Sequence, residues 1–358
     1  MSTLAVNKQF NYHDEQNKKN ILKIREILAT LPGFCKEYFF GIEDYTSTRT
    51  RLAYAYDLRV FFEFLHTNNP ICAQTEITEF KIELLDQITR SDILEYLNYM
   101  SYYEKEGKEI TNEEKGKSRK IASLRSFYRY FYQNELISTN PASLVPVPKQ
   151  HEKDIIRLEP NEVAILLDQV EAGTKLTKKE LEYHKKTKIR DVAILTLLLG
   201  TGIRVSECVG LDVTDVDFEA NGIRILRKGG KEAVVYFGDE VEFALRDYLD
   251  EREHIIPIEG HENALFFSIQ NRRITVRSVE KLVKKYASRV TTLKKITPHK
   301  LRSTYGTSLY QETDDIYLVA DVLGHNDVNT TRKHYAAQAD MRRRSAANKV
   351  RLREDKEN

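Results

Sequence analysis

A proline-containing stretch divides the sequence into two parts with different hydrophobic patterns. Pro141, Pro146 and Pro148 are followed by the polar run 149–154. Proline fixes its own φ and restricts the residue before it, so such a stretch is extended rather than helical. We therefore predict a linker over residues 141–156 with a folded unit on each side. At 358 residues the chain is long enough for two units with separate cores.

The part before the linker is predicted to be helical, because its apolar residues recur at helical spacing. Residues 1–43 are expected to form an N-terminal extension with one helix that begins near Ile21, after a polar and frayed start. Within residues 44–140 we predict one helix beginning near Ser47, one over residues 89–103, and one that starts near Lys115.

The helix that begins near Lys115 combines a basic start with an apolar seam. The seam is expected to bury Ile121, Leu124, Tyr128 and Phe131. Arg119 and Lys120 stand ahead of it and are our candidate DNA contacts, because a basic helix end can lie against phosphates. The alternative is an ordinary solvated helix face, since charge on a helix usually serves solubility.

The second part of the sequence mixes helices with a small β-sheet. A charged insert (175–188) precedes a buried helix over 190–199, and after Gly222 the hydrophobic period changes to two. Two alternating runs, 223–227 and 232–237, flank a Lys-Gly-Gly-Lys sequence, which is a strong hairpin signal. The fold class predicted for the whole chain is therefore mainly α with a small β-sheet, and α+β in the second part.

Polar residues able to bind an anion are spread through the second part. Arg204 follows a glycine-rich turn at the start of a predicted helix, and Glu207 lies one helical turn later, where it could orient the guanidinium. An exposed Arg–Glu pair of no functional importance is the alternative. Lys228 lies at the predicted hairpin tip, where lysines are often only solvated.

Further candidates stand between residues 296 and 335. His299 and Arg302 are three residues apart and so share a helical face. His325 follows a Leu-Gly pair, and Tyr335 is the only tyrosine after it. Each could be structural by itself. No Asp, Glu or Cys stands at ligand spacing with these histidines, so we predict no metal site.

The order of these residues resembles that of the tyrosine recombinase (phage integrase) family, and especially its Xer-like members. The matching motifs are Gly200-Thr201-Gly202-Ile203-Arg204-Val205-Ser206-Glu207, Arg227-Lys228-Gly229-Gly230-Lys231, Thr297-Pro298-His299-Lys300-Leu301-Arg302 and Leu323-Gly324-His325. The resemblance implies a core-binding, DNA-binding domain of SAM-like type over residues 44–140. It also implies a catalytic domain with a C-terminal tail over residues 157–358, and a two-domain clamp around duplex DNA.

The resemblance also implies a role for each candidate catalytic residue. Arg204, Arg302 and His325 would bind the nonbridging oxygens of the scissile phosphate, with Glu207 supporting Arg204. Tyr335 would be the nucleophile, His299 the candidate base, and Lys228 the general acid for the leaving 5′-oxygen. The product would be a 3′-phosphotyrosyl link, formed without metal, ATP or any other cofactor.

The function implied is site-specific recombination of DNA, for integration or excision of a mobile element or for chromosome dimer resolution. The partners implied are double-stranded DNA and a homotetramer on two DNA sites, with a dimer on each; accessory proteins stay open. The alternatives are a type IB topoisomerase and a non-catalytic DNA-binding regulator. A metal-dependent nuclease is disfavoured, because Asp212, Asp215 and Asp217 lie together on one short segment.

Composition bears on the cellular compartment. The formal charge is only +2, so a DNA-binding surface must come from local clusters of Lys and Arg. Three scattered cysteines suit a reducing environment. The polar N-terminus has no apolar signal core, and the aliphatic run 192–199 is too short to span a bilayer. We therefore expect a cytoplasmic protein without membrane contact.

Overall fold

The computed structural model describes residues 12–105, 107–148, 156–227, 230–325, 327–329 and 331. The chain divides into two compact units, Met1–Lys153 and Asp154–Asn358. Both are mainly helical, and each contains a small antiparallel sheet. The predicted fold class is thus confirmed. Among the described residues, no helix is both long and apolar enough to cross a membrane.

The first unit is built from helices and one short hairpin. The helices are α1 (Tyr12–Leu28), α2 (Cys35–Gly41), α3 (Thr48–Asn68), α4 (Leu84–Gln87), α5 (Arg90–Tyr99) and α6 (Glu114–Gln133). The strands β1 (Tyr102–Lys105) and β2 (Lys108–Thr111) pair antiparallel. Short 3-10 helices cover Ile77–Glu79 and Pro141–Leu144. The second lies at the start of the predicted extended linker, and that part of the prediction is wrong, because Ala142 and Val145 are buried in the core of the first unit.

The start of the first unit differs from the prediction. Helix α1 begins at Tyr12 rather than near Ile21, and a second helix, α2, follows it before residue 43. Two of the polar residues expected to be frayed, Asn17 and Asn20, contact α3 instead, since the Thr48 hydroxyl donates to Asn17 Oδ1 at 2.6 Å and accepts from Asn20 Nδ2 at 3.2 Å. Their polarity therefore serves contacts between helices.

Helix α6 lies at the centre of the first unit's core. Its predicted seam is confirmed, because Ile121, Leu124, Tyr128 and Phe131 are each at most 1% exposed. The seam packs in one core with side chains from α2 and α3, and burying such aromatic rings dominates the energetics of a small core. Arg125, on the same helix, donates to the carbonyl oxygens of Ala142 and Val145.

The second unit surrounds a long central helix. Its helices are α7 (Pro160–Ala172), α8 (Lys178–Thr201), α9 (Val205–Gly210), α10 (Asp239–Arg252), α11 (Val276–Ala287), α12 (Pro298–Thr313) and α13 (Ile316–Leu323). The sheet has the order β3 (Val216–Asp217), β4 (Gly222–Leu226), β5 (Glu232–Tyr236), and a 3-10 helix covers Val213–Asp215. The antiparallel β4–β5 pairing confirms the predicted hairpin.

Helix α8 is longer than the sequence pattern indicated. The charged insert is its first half, and the helix begins with a capping box in which Thr177 and Glu180 exchange backbone and side-chain hydrogen bonds. The helix packs against α7, α10 and α12. Its C-terminal end at Gly202, with φ +64°, leads directly into Arg204.

The first residues of the second unit are attached to α12. The backbone N–H of Leu158 donates to Thr304 Oγ1 at 3.0 Å, and both groups are buried. Thr304 stands two residues after Arg302 on the same helix. The point where the chain enters this unit is therefore fixed to the helix that carries two of the candidate catalytic residues.

Candidate active site

Arg204 is the N-cap residue of α9, as the sequence predicted. Its backbone N–H and its Nη1 both donate to the carboxylate of Glu207, each at 2.7 Å. Glu207 is 5% exposed, so this is a buried carboxylate rather than half of a surface pair. The structure therefore favours the orienting role over the alternative of an incidental ion pair.

The side chain of Arg204 also contacts the C-terminal end of α13. Its Nη2 donates to the carbonyl oxygen of Gly324 at 3.2 Å, while 35% of the side chain stays exposed. Among the described residues, these contacts to Glu207 and Gly324 use two of the five guanidinium N–H donors. The same side chain can hold its position and still bind an anion.

Arg302 lies deeper and is held between two helix ends. Its Nη1 donates to the carbonyl oxygen of Gly202 at 2.7 Å, and its Nη2 donates to that of Leu323. These carbonyls belong to the C-terminal ends of α8 and α13, where the helix dipole is negative and favours a cation. Arg302 is only 5% exposed, so its position is set by the interior.

The end of α13 thus brings the two arginines together. Their acceptors, Leu323 and Gly324, are consecutive residues, whose Cα atoms lie about 3.8 Å apart. The carbonyls at a helix C-terminus have no partner within the helix and must be satisfied from outside. Residues almost a hundred positions apart in sequence therefore meet at one point, directly before His325.

A third arginine, to which the sequence analysis gave no role, binds the same helix end. Arg227 Nη1 donates to the carbonyl oxygen of Asp321 at 3.1 Å, and its Nη2 donates to that of Val322 at 2.8 Å. Four consecutive carbonyls, from residue 321 to residue 324, thus accept from three guanidinium groups. The sequence offered no signal for these pairings beyond the position of Arg227 beside Lys228.

The two candidate histidines occupy different positions. His325 is half-buried, and its Nδ1 forms a 2.7 Å hydrogen bond with Thr331 Oγ1, which fixes the orientation of the ring. Thr331 is fully buried, and the sequence analysis assigned it no part in the site. His299 is exposed on the first turn of α12, three residues before Arg302, as the sequence predicted.

Two of the predicted catalytic residues, Lys228 and Tyr335, lie outside the described residues. Lys228 follows Arg227 directly in sequence, and Tyr335 stands four residues after Thr331. Their roles stay predictions. Within the residues described, no group of three or more His, Cys, Asp or Glu side chains is arranged to hold a metal ion.

The two candidate DNA contacts in the first unit have different environments. Lys120 is 5% exposed, and its ammonium group lies 3.2 Å from Oδ1 of the buried Asp57. Arg119 also pairs with Asp57, but its side chain is 49% exposed. The structure therefore directs Lys120 into the interior, and only Arg119 of the two has a side chain open to a ligand.

Arg119 lies in a surface groove along α6. The groove is lined by Tyr54, Lys115, Ser118, Arg119, Ala122, Arg125, Ser126, Arg129 and Val147. Its helical members recur at three- and four-residue steps, so they form a stripe along one face of the helix. Four of them are cationic, which gives the groove the charge that a phosphate backbone requires.

The fold of the chain matches that of known two-domain recombinases. The crystal structure of XerH site-specific recombinase bound to palindromic difH substrate has a TM-score of 0.66, with 19% identity over 93% of this chain and 89% of that one. The Tn1549 transposon integrase in complex with circular intermediate DNA has a TM-score of 0.60, with 22% identity over 87% of this chain and 99% of that one. At these identities the likeness concerns the fold.

Sequence comparison places the chain among the relatives of these enzymes. The tyrosine recombinase XerC of Caldanaerobacter subterraneus subsp. tengcongensis is 32% identical over 345 residues, covering 93% of this chain and 90% of the relative. The tyrosine recombinase XerD of Oceanobacillus iheyensis is 31% identical over 296 residues, covering 82% of this chain and 90% of the relative.

The fold and the arginine site together define a tyrosine-type site-specific DNA recombinase. Residues 157–342 match the model of the phage integrase family, and the chain belongs to this family. The resemblance that the sequence motifs suggested is thereby confirmed.

Proposed function

We propose that this recombinase cuts and rejoins double-stranded DNA through a covalent bond between Tyr335 and a 3′-phosphate. The observation that best supports the proposal is the arrangement of Arg204 and Arg302 on consecutive carbonyls beside His325. Two guanidinium groups and an imidazole can bind the nonbridging oxygens of one phosphodiester and neutralise the charge that builds up during attack.

The chemical step divides among the remaining residues. A phenol has a pKa of about 10, so the Tyr335 proton must pass to a base or the phenolate must be stabilised by neighbouring cations. We assign the base to His299. As the bond from the Tyr335 oxygen to phosphorus forms, the bond from phosphorus to the 5′-oxygen breaks, and Lys228 gives that oxygen its proton.

The covalent product stores the energy of the broken bond. A 5′-hydroxyl from another strand can attack the phosphotyrosyl phosphorus and give its proton to Lys228. The bond from phosphorus to the Tyr335 oxygen then breaks, the phenolate takes back its proton from His299, and a phosphodiester is restored. Phosphoryl transfer in this form balances without water, ATP or metal. The positive charge that a metal ion supplies in other phosphoryl-transfer enzymes comes here from arginines.

We further propose how the chain divides its work on DNA. Residues 44–140 form a core-binding domain whose basic α6 groove contacts the phosphate backbone, and residues 157–358 form the catalytic domain. The predicted linker, without residues 141–145 that pack in the first unit, joins them, so that the two can clamp a duplex. Exchange between two sites needs four protomers, two on each site, and the tetramer can be tested by the mass of the complex in solution.

The decisive experiment uses a DNA substrate nicked close to the cleavage position, so that the released fragment diffuses away and the adduct accumulates. DNA flanking the source gene supplies candidate sites. The wild type should form a covalent protein–DNA band on a denaturing gel, in EDTA as well as without it. Tyr335→Phe should form none while binding the DNA as tightly.

A matched control is Tyr317→Phe, because Tyr317 lies in the same unit, on α13, and is 71% exposed. It should form the adduct like the wild type. An adduct in Tyr335→Phe would overturn the nucleophile assignment, and loss of the adduct in EDTA would overturn the metal-free mechanism. If DNA is bound and no adduct forms in the wild type, the chain is a binding protein in this assay, and the proposal fails.

A further inference from the structure

Arg227 fixes the β4–β5 hairpin to the end of α13. Its two bonds, to the carbonyl oxygens of Asp321 and Val322, place a forked guanidinium on consecutive carbonyls of one helix end. A lysine ammonium in its place would lack the two parallel donors. This contact joins the hairpin to the residues that immediately precede His325.

The fit between Arg227 and α13 depends on Gly324. Gly324 has φ +60°, and a Cβ built on it would lie 2.8 Å from Arg227 Nε and 2.5 Å from its Cζ. Real Cβ atoms do not approach heavy atoms so closely, so any other residue would push the guanidinium away. Glycine therefore permits the close approach of the guanidinium as well as the left-handed backbone.

The backbone of Arg227 is held at the same time by the hairpin itself. Its N–H donates to the carbonyl oxygen of Lys231 at 2.8 Å, and its carbonyl oxygen accepts from Gly230 N–H at 3.1 Å. Main chain and side chain thus fix this residue from two directions. The next residue in sequence is Lys228. Whatever fixes Arg227 therefore fixes the attachment point of the proposed general acid.

A neighbouring arginine shows that this arrangement is specific. Arg224 lies on β4, three residues before Arg227, and its side chain is 56% exposed. It pairs with Asp215 at 3.3 Å, an ordinary surface ion pair. Arg227 instead has its Nε buried and both Nη atoms on backbone carbonyls. Arg224 therefore provides a matched control of the same residue type.

We propose that Arg227 is a positioning residue for the general acid: it aligns the hairpin that carries Lys228 with the helix end that carries His325 and accepts from Arg204 and Arg302. This inference rests on the proposed function, because it assumes that Lys228 protonates the leaving 5′-oxygen. Arg227, Arg204 and Arg302 all donate to the last carbonyls of α13. The hairpin that carries the proposed acid and the two phosphate-binding arginines are therefore aligned on the same helix end.

The test compares single-turnover cleavage of two substrates. One is the ordinary nicked DNA, and the other carries sulfur in place of the 5′-bridging oxygen at the cleaved bond. A thiolate leaves without a proton, since a thiol is far more acidic than an alcohol, so the sulfur substrate no longer needs a general acid. Arg227→Gln, Lys228→Ala and Arg224→Gln are measured against the wild type, together with DNA affinity and melting temperature.

We expect Arg227→Gln to cleave the oxygen substrate about 10- to 100-fold more slowly than the wild type. Complete loss of a general acid costs roughly 100-fold or more, and a misplaced acid should lose part of that contribution. On the sulfur substrate Arg227→Gln should regain nearly the wild-type rate, as should Lys228→Ala. Arg224→Gln should match the wild type on both. DNA affinity should be unchanged throughout.

Three outcomes would overturn the inference. Slow cleavage of both substrates by Arg227→Gln would mean that Arg227 acts through the phosphate-binding arginines instead. A loss confined to DNA affinity would make it a DNA contact. If sulfur does not restore Lys228→Ala, the role of Lys228 fails and this inference fails with it, while adduct formation through Tyr335 can still be measured separately.

Discussion

The carboxylate of Glu207 holds Arg204 at two points, with one oxygen on its backbone N–H and the other on its Nη1. Both contacts measure 2.7 Å, and the carboxylate is buried. A guanidinium fixed in this way needs little reorganisation when a phosphate arrives, which is the condition for efficient electrostatic catalysis.

Glu207→Gln should therefore lower the rate of adduct formation by about tenfold or more, because hydrogen bonds to charged groups contribute about 1.5 to 3 kcal/mol. DNA affinity should change little. Glu242→Gln is the matched control, since Glu242 forms a surface pair with Arg246 at 2.8 Å on α10. Equal rates for Glu207→Gln and Glu242→Gln would contradict the orienting role.

Replacing each site arginine by lysine should separate chemistry from folding. Arg204→Lys and Arg302→Lys should each reduce adduct formation by at least about 100-fold, because an ammonium cannot reproduce paired N–H donation to phosphate oxygens. Only Arg302→Lys should also lower the melting temperature, since Arg302 is 5% exposed and satisfies the carbonyls of two helix ends. A parallel loss of stability in both variants would be the contrary result.

Gly202→Ala should disturb the site through the backbone. The left-handed conformation at φ +64° costs a non-glycine residue about 1 to 2 kcal/mol, and the new Cβ would also press on the Tyr305 ring and lie 3.1 Å from Leu323 Cδ2. Gly260→Ala is the control, because Gly260 has φ +82° with open space around it. Both variants should lose stability by thermal unfolding, and only Gly202→Ala should lose cleavage activity.

The two neighbouring cations of α6 should respond differently to neutralisation. Arg119→Gln should weaken DNA binding and reduce the slope of log affinity against log salt by about 1, as expected for one lost phosphate contact. Lys120→Gln should leave that slope unchanged and instead lower the stability of the first unit by about 1 to 3 kcal/mol. A salt titration of binding and a melting curve for each variant would show whether the effects are divided this way.

The cost of Lys120→Gln should depend on pH. Burial raises the pKa of Asp57, although Lys120 and Arg119 oppose the rise. A raised carboxyl pKa means that stability is lost as the pH rises through the folded-state pKa, and removal of Lys120 enlarges this loss. The difference in stability between wild type and variant should therefore be largest near neutral pH and shrink as the pH falls toward the pKa of Asp57. Denaturant unfolding at several pH values measures it.

Local sequence signals predicted the parts of the fold that local contacts decide. The period of two on either side of Lys-Gly-Gly-Lys gave β4 and β5, and the apolar seam gave α6. The sequence also predicted the pairing of Arg204 with Glu207, because a helix cap and its partner lie within one turn.

The β1–β2 hairpin and the first half of α8 were missed, although the sequence contains local signals for both. The predicted helix over residues 89–103 ends at Tyr99, because Tyr102 begins the β1–β2 hairpin, whose turn includes Gly107 at φ +70°. The charged insert belongs to α8, and the spacing of Thr177 and Glu180 is that of a capping box.

Contacts between residues that are distant in sequence could not be predicted from the sequence. Lys120 has the same charge as its neighbours in sequence, and only Asp57, 63 residues away, makes it an interior residue. The gathering of Arg204, Arg227 and Arg302 on the end of α13 likewise depends on tertiary packing. The family resemblance implied that Arg204 and Arg302 meet at one phosphate, but it did not indicate which contacts hold them there.

The hydrogen bond from Leu158 N–H to Thr304 Oγ1 indicates where the catalytic unit could be fused to a different DNA-binding unit. A foreign DNA-recognition module joined upstream of Leu158 would leave this buried hydrogen bond to α12 in place. A junction placed a few residues later would remove a peptide group that holds the helix of His299 and Arg302. Chimaeric recombinases with new target specificity should therefore be spliced before this residue.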